Sequence, residues 1–385
     1  MPVVAADVIE LVSELVRIES VTPWLVSTGS GEGAVASFIA DWLADTGAEI
    51  EIVEVEPGRP NVLARLRGDG GGPTLCLNAH SDTVGYANWP DEALVPRVDG
   101  DRLYGLGAAD DKGMCAAGML ALKSIAQSGR PHKGDLLLAC VADEEGVSIG
   151  SEHLAKMSGI DACIVIEPGP LLDVIVEHQG FGWIDIITHG TAAHGSAPDV
   201  GVDAIVHLAE VITRLHARDV NTFAPHPDPR NGRTVFHTGT VVGGTDYATY
   251  PSIAKLGIEI GTQPGEHLSD RVAEIEGIFA EVAQKEAGFQ GEVVVRLDRE
   301  PFLAQGHEPL LKIVAEAVEA ELGKTPEFVG LNAWTDAALM QGAGIPTLLM
   351  GALGDNFHSP DEWVSISELV SLCGVLEKAA LEFLA

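Results

Sequence analysis

Basic residues are scarce: 23 lysines and arginines stand against 57 aspartates and glutamates, a formal charge of −34 over 385 residues. Such an imbalance opposes binding to nucleic-acid phosphates or to an anionic membrane surface, and no cluster of lysine or arginine offsets it. Neither nucleic acid nor membrane is therefore an expected partner, and the acidity itself reads as a well-solvated surface. Cysteine is sparse too. The five, Cys76, Cys115, Cys140, Cys163 and Cys373, are odd in number and never form CxxC, so they indicate neither a disulfide framework nor a thiolate zinc site. They read as small buried apolar residues. Long hydrophobic runs are missing. The longest, Leu136–Ala142, falls far short of the ~20 residues that a membrane-spanning helix needs. The start, MPVVAADVIELVSELV, has Asp7 and no basic residue before Arg17, which lacks the positive opening of a secretory signal. A cytoplasmic location is expected.

The motifs of several other chemistries are also absent. GLGAAD lacks the last glycine of a dinucleotide fingerprint, and Gly323-Lys324-Thr325 has Val318 where a phosphate loop requires glycine. No GxSxG nucleophile elbow occurs, and Cys115 reads as a helix packing residue rather than a nucleophile.

At about 150 residues per domain the length predicts two or three compact units. In the first half, helical spacing at 5–18 and 32–46 is followed by strand-like runs at 49–55, 74–78, 135–142 and 162–166, with a Gly/Ala-rich helix at 113–127. This alternation favours an α/β sheet with helices on its faces. After Pro168 the order becomes strand 182–188, helix 203–218, strands 234–242 and 253–260, helix 268–285 and strand 292–297. That is the split β-α-β-β-α-β arrangement of a small α+β sandwich. The α/β texture resumes near Pro301, with a helix at 308–322, a strand at 346–351 and a last helix at 366–384. The reading is a discontinuous first domain, 1–178 with 299–385, interrupted by an inserted domain at 179–298.

Acids and imidazoles gather after the strands of the discontinuous domain. TLCLN runs into Ala79-His80-Ser81-Asp82, and residues two apart in extended chain share a face, so His80 and Asp82 are either a satisfied polar pair or a ligand with its orienting carboxylate. Asp110 and Asp111 precede a helix, where carboxylates also serve as caps. LLLACVA leads to Asp143-Glu144-Glu145, whose mutual repulsion is costly without cations. ACIVI ends at Glu167, and PTLLMGA leads to His358, Asp361 and Glu362. Metal is the common explanation. Oxygen and nitrogen donors without cysteine suit zinc, cobalt or manganese, and this many carboxylates suggests two ions with one carboxylate bridging.

The segments LNAHSDTV, GLGAADDKGM, ADEEG, IEP, THGTAAHGSAP and FHSPDEW, in this order over nearly the whole chain, resemble the dinuclear metallohydrolases that include acetylornithine deacetylase, succinyl-diaminopimelate desuccinylase, the aminoacylases and glutamate carboxypeptidase. The resemblance implies a zinc-exopeptidase-like catalytic domain with a ferredoxin-like lid that dimerises. It implies His80 and Glu167 on a first metal, Glu145 and His358 on a second, and Asp110 as the bridge. It further implies Asp82 as the orienter of His80, Glu144 as general base, and His194 as a histidine that crosses a dimer interface to stabilise the oxyanion. Asp111 occupies a position variable in that family and is left out of the expected site. The expected cofactors are two divalent ions, zinc first and cobalt or manganese as alternatives; the expected substrate is a small amide, N-acyl amino acid or short peptide. Ile260 and Gly261 stand where many relatives carry a carboxylate-binding arginine, Ala248 stands near a frequent asparagine, and Arg230 and Arg233 are the candidate substitutes. Competing readings are a catalytically silent metal-binding or assembly protein and an aminopeptidase-like dipeptidase.

Overall fold

A strand whose two faces are both covered reads as a near-continuous apolar run rather than an alternating one. TLCLNAH is such a run. In the computed structural model, which describes residues 2–87, 89 and 92–385, Thr74–His80 is buried along its whole length. Asp135–Val141, Thr74–His80, Ala162–Ile166 and Thr347–Met350 lie side by side in that order, all parallel. Cys76 is thus flanked by Leu137 and Cys163. The sheet continues antiparallel on both sides, through Arg59–Leu66 and then Glu49–Glu56, and through Asp173–His178. Lys112–Ser128 packs on the central strands and against Ala5–Arg17 and Ile366–Phe383.

Boundaries differ from the sequence reading where local chemistry outweighs periodicity. The second helix is Gly33–Leu43, shorter than the expected 32–46, and the chain turns at left-handed Gly47. Among the strands that escape the sequence reading, two belong to the large sheet beside its parallel core. Arg59–Leu66 carries Pro60 as its second residue, which donates nothing to a ladder, and its pairing with Asp135–Val141 begins only at Val62. Asp173–His178 follows the turn at Pro168–Pro170 and is only six residues long. A small sheet of Gly354–Asp355, Trp363–Ser365, Arg102–Tyr104 and Arg97–Asp99 pairs Tyr104 with Trp363. It thereby ties the segment leading to Asp110 to the one that follows His358.

The chain divides into two compact units: residues up to Val176 with Ala304–Val329 and Thr335–Ala385, and Glu177–Leu303 with Gly330–Trp334. In the second, the strands run in the sheet order Phe236–Gly243, Ile253–Thr262, Gly180–His189 and Gln290–Arg299, antiparallel throughout. The helices Ala204–Arg218 and Leu268–Ala283 bury Leu208, Val211 and Ile275 against Ile184, Ile186, Leu256 and Ile258. Asp203 caps the first helix, its carboxylate accepting the N–H groups of Ile205 and Val206 at 2.9 and 3.0 Å. Asp203→Ala is expected to cost about 1 kcal/mol, read as a lower urea midpoint with an unchanged slope.

Candidate metal centre

Parallel strands all end at one edge, so the loops that leave them converge there. His80 is the last residue of its strand, with its ring buried. Its Nδ1 lies 3.2 Å from the Asp82 carbonyl oxygen and 3.4 Å from Asp82 Oδ1, which leaves Nε2 as the atom the ring offers outward. Asp82 also governs the neighbouring loop, because its two carboxylate oxygens accept the main-chain N–H groups of Glu144 and Glu145, each at 3.1 Å. One buried carboxylate therefore fixes both a strand-end imidazole and the pair of acids beyond the next strand.

Asp110 stands at the centre. His80 Nε2 is 2.9 Å from its Oδ1, and His358 Nε2 is 3.3 Å from its Oδ2 and 3.0 Å from Glu145 Oε1. Donor atoms of His80, Asp110 and Glu167 all lie within 4.8 Å of one another, and so do those of Asp110, Glu145 and His358. Asp110 belongs to both groups. The turn that carries it wraps around buried Glu362, whose carboxylate accepts the N–H groups of Gly107, Ala109 and Asp110 at 2.9–3.1 Å. Asp111 stands at the N-cap position of the helix Lys112–Ser128, but its side chain makes no capping hydrogen bond. Asp111, joined to Asp110 by a cis peptide bond, turns inward to accept the His80 N–H at 2.9 Å.

The electrostatics suit a cation. Burial, followed by the carboxylates facing one another, pushes Glu144, Glu167 and Asp111 well above the usual carboxylate range and raises Glu145 as well. Hydrogen bonds to Asp110 and then Glu145 push the His358 imidazole up to about 10. Against burial, His358 and His80 hold Asp110 below its ordinary value. Acids that resist ionisation beside imidazoles that hold their protons are groups lacking positive charge. Divalent ions would displace those protons and supply it. The donor set, imidazole nitrogen and carboxylate oxygen with no thiolate, fits such ions.

Other expected residues fall elsewhere. His194 is exposed in the second unit, its Nδ1 2.8 Å from Ser196 Oγ. Gly261 is closed in: its N–H donates to the Val235 carbonyl, and a Cβ there would sit 2.8 Å from Gln179 Oε1. Arg230 and Arg233 are paired with Glu177 and Asp219, which counts against a free carboxylate anchor at either. Sequence reasoning assigned no role to Glu362 or Asp111, although the first lies within FHSPDEW and the second beside Asp110. It likewise passed over buried Asp336, whose carboxyl burial raises to about 6.

Residues 76–382 match the pattern of peptidase family M20/M25/M40. The chain is 30% identical to an acetylornithine deacetylase of Vibrio campbellii, over 97% of this chain and 98% of that one. Its fold is similar to that of a Staphylococcus aureus tripeptidase, with TM-score 0.82 and 22% identity over 100% and 99% of the two chains. It is also similar to a Bacillus subtilis dinuclear metal-binding peptidase of the M20 family, with TM-score 0.73 and 18% identity over 99% and 98%.

Glu362→Ala is expected to lower the urea-unfolding free energy of chelator-treated protein by about 3 kcal/mol, taking about 1 kcal/mol for each main-chain donor left without its acceptor. Glu362→Gln keeps an acceptor oxygen and should lose less; equal losses would count against this role.

Proposed function

The chain belongs to peptidase family M20/M25/M40, whose members are metal-dependent hydrolases of amide bonds, and from that premise we propose how this member works and on what. The observation that carries the reading is the shared Asp110 carboxylate, common to two donor groups. Asp110 would serve both sites, with His80 and Glu167 holding one ion and Glu145 and His358 the other. Zinc is the first candidate, with cobalt and manganese the alternatives that the donors also accept. Two such ions supply Lewis acidity toward a carbonyl oxygen and acidify water.

The protein's own residues do the rest. Glu144 takes a proton from the attacking water and delivers it to the leaving amine, a role suited to a carboxyl whose proton affinity burial has raised. Asp82 holds the His80 ring and the main chain of Glu144 and Glu145. His194 donates to the developing oxyanion from the partner of a homodimer. The dimer would form along the edge strand Phe236–Gly243, whose outer side pairs with nothing among the described residues. Val241 and Val242 there are 65% and 69% exposed, and Ile205, Val206 and Tyr247 add apolar surface. Antiparallel pairing about a two-fold axis would cover that edge.

The substrate is a small amide, an N-acyl amino acid or a short peptide. With Gly261 closed in and Arg230 and Arg233 paired, its recognition does not depend on an arginine-carboxylate fork. The described residues hold no helix long and apolar enough to cross a membrane, and all five cysteines are buried and unpaired. A reducing, cytoplasmic setting accords with those thiols.

In a hydrolysis screen of N-acyl amino acids, dipeptides and neutral amides with added zinc, cobalt or manganese, turnover should require the ions. Glu144→Gln should keep both ions and lose about 10²- to 10⁴-fold in kcat, whereas Asp110→Ala should lose ions and activity together. A Glu144→Gln enzyme with near-normal kcat would overturn the general base. Mixing His194→Ala and Glu144→Gln chains should restore turnover that neither shows alone; if mixed dimers form and none returns, donation in trans is wrong.

A further inference from the structure

Behind the metal-ligand edge lies a buried ion cluster to which none of the roles above assigns a purpose. Arg59 follows the left-handed turn residue Gly58 and opens the strand Arg59–Leu66, just before Pro60. Its Nε and Nη2 donate to the two carboxylate oxygens of Glu32 at 2.5 and 2.7 Å, and Nη2 also donates to Asp143 Oδ1 at 2.7 Å and Thr22 Oγ1 at 3.0 Å. The Thr22 hydroxyl donates to the same Asp143 oxygen at 2.7 Å. Glu32, Arg59 and Asp143 are only 0%, 7% and 1% exposed. Water therefore has little access to compensate these charges, and they must compensate one another.

Asp143 immediately precedes Glu144 and Glu145, and the loop folds around it. Its Oδ2 accepts the Val147 N–H at 3.1 Å, and its carbonyl oxygen accepts the N–H groups of Gly146 and Ser148. It holds a left-handed backbone at φ 69° although it is not glycine. The two acids of the loop are thus secured from opposite ends, by Asp82 at their own N–H groups and by Asp143 at the root of the turn. Of these two carboxylates, only Asp143 carries a bond from a guanidinium. A planar fork can grip Glu32 with one edge and still reach Asp143, whereas a lysine ammonium offers a single point of charge.

We propose that Arg59, acting through Asp143, is a positioning residue that sets the Glu144–Glu145 loop for turnover; this rests on the roles assigned to those two glutamates. Misplacement of a reacting group by about 1 Å costs up to about 10²-fold in rate. Arg59→Lys and Asp143→Asn should therefore each lower kcat by about 10- to 100-fold in ion-loaded protein while KM stays within about twofold. In the metal-free protein, the same variants should speed amide hydrogen exchange over residues 143–148, where the loop loses its restraint. Asn tolerates the left-handed backbone, so Asp143→Asn reports on the clamp even if Arg59→Lys fails to fold. Unchanged kcat and unchanged loop exchange in a folded variant overturn the proposal, as does a loss of global stability with kcat intact. Glu144→Gln is measured in parallel. If it is inactive while Arg59→Lys and Asp143→Asn match the wild type, the clamp alone fails; if it is active, the assignment of the base fails first.

Discussion

Carboxylates converge on the carboxyl edge of a parallel sheet in this protein, and most of the local architecture follows from keeping them there. Asp82, Asp110, Asp111, Glu144, Glu145 and Glu167 arrive from four separate segments, most of them buried or nearly so. Unscreened like charges at such spacing repel strongly. The structure meets that repulsion in two ways. Some acids take main-chain N–H groups: Asp82 holds Glu144 and Glu145, Asp111 holds His80, and Glu362 holds the turn before Asp110. Asp110, Glu145 and Glu167 instead face the imidazoles of His80 and His358. The first group fixes backbone so that the second can present oxygen atoms, which is the division of labour that a preorganised ion site requires.

Most of the first group was hidden from the sequence, for a physical reason. A candidate ligand can be recognised by residue type at a strand end, and His80, Asp110, Glu145, Glu167 and His358 carry that signal in their local segments. A carboxylate that accepts main-chain N–H groups can come from anywhere in the chain. Glu362 serves a turn that ends some 250 residues earlier. Arg59 lies on a strand that the sequence reading did not see, because Pro60 masks its start. Asp111 is the instructive case. Its neighbour Asp110 carries the ligand signal and Asp111 does not, yet the Asp111 side chain takes the His80 N–H and lies wholly within the protein. Long buried strands and amphipathic helices were legible because burial imposes a pattern on consecutive residues, whereas hydrogen-bond partners distant in sequence leave none.

The second unit obeys a different economy of charge. Its arginines are largely engaged by its own acids: Arg218 and Arg271 with Glu274, Arg214 with Glu210, Arg296 with Asp185, Arg230 with Glu177 and Arg233 with Asp219. Each of these guanidinium groups is positioned by a carboxylate of its own unit, so any further anion would have to share it with that carboxylate.

Gly261 sharpens that constraint. Its N–H is bound by the Val235 carbonyl, and its own carbonyl accepts Arg271 Nε at 3.1 Å. The space a side chain would need is occupied by Gln179, which in turn bonds the carbonyls of Asn231 and Arg233 and the N–H of Val235. An arginine at this position would have to displace the Gln179 amide and break that set of bonds, so the glycine is built into the packing rather than being a surface position that one neighbour could reverse. Placing an arginine here would require at least Gln179 to change with Gly261. The space around Gly261 thus lies in a packed interior, where changes in volume are felt by every neighbour.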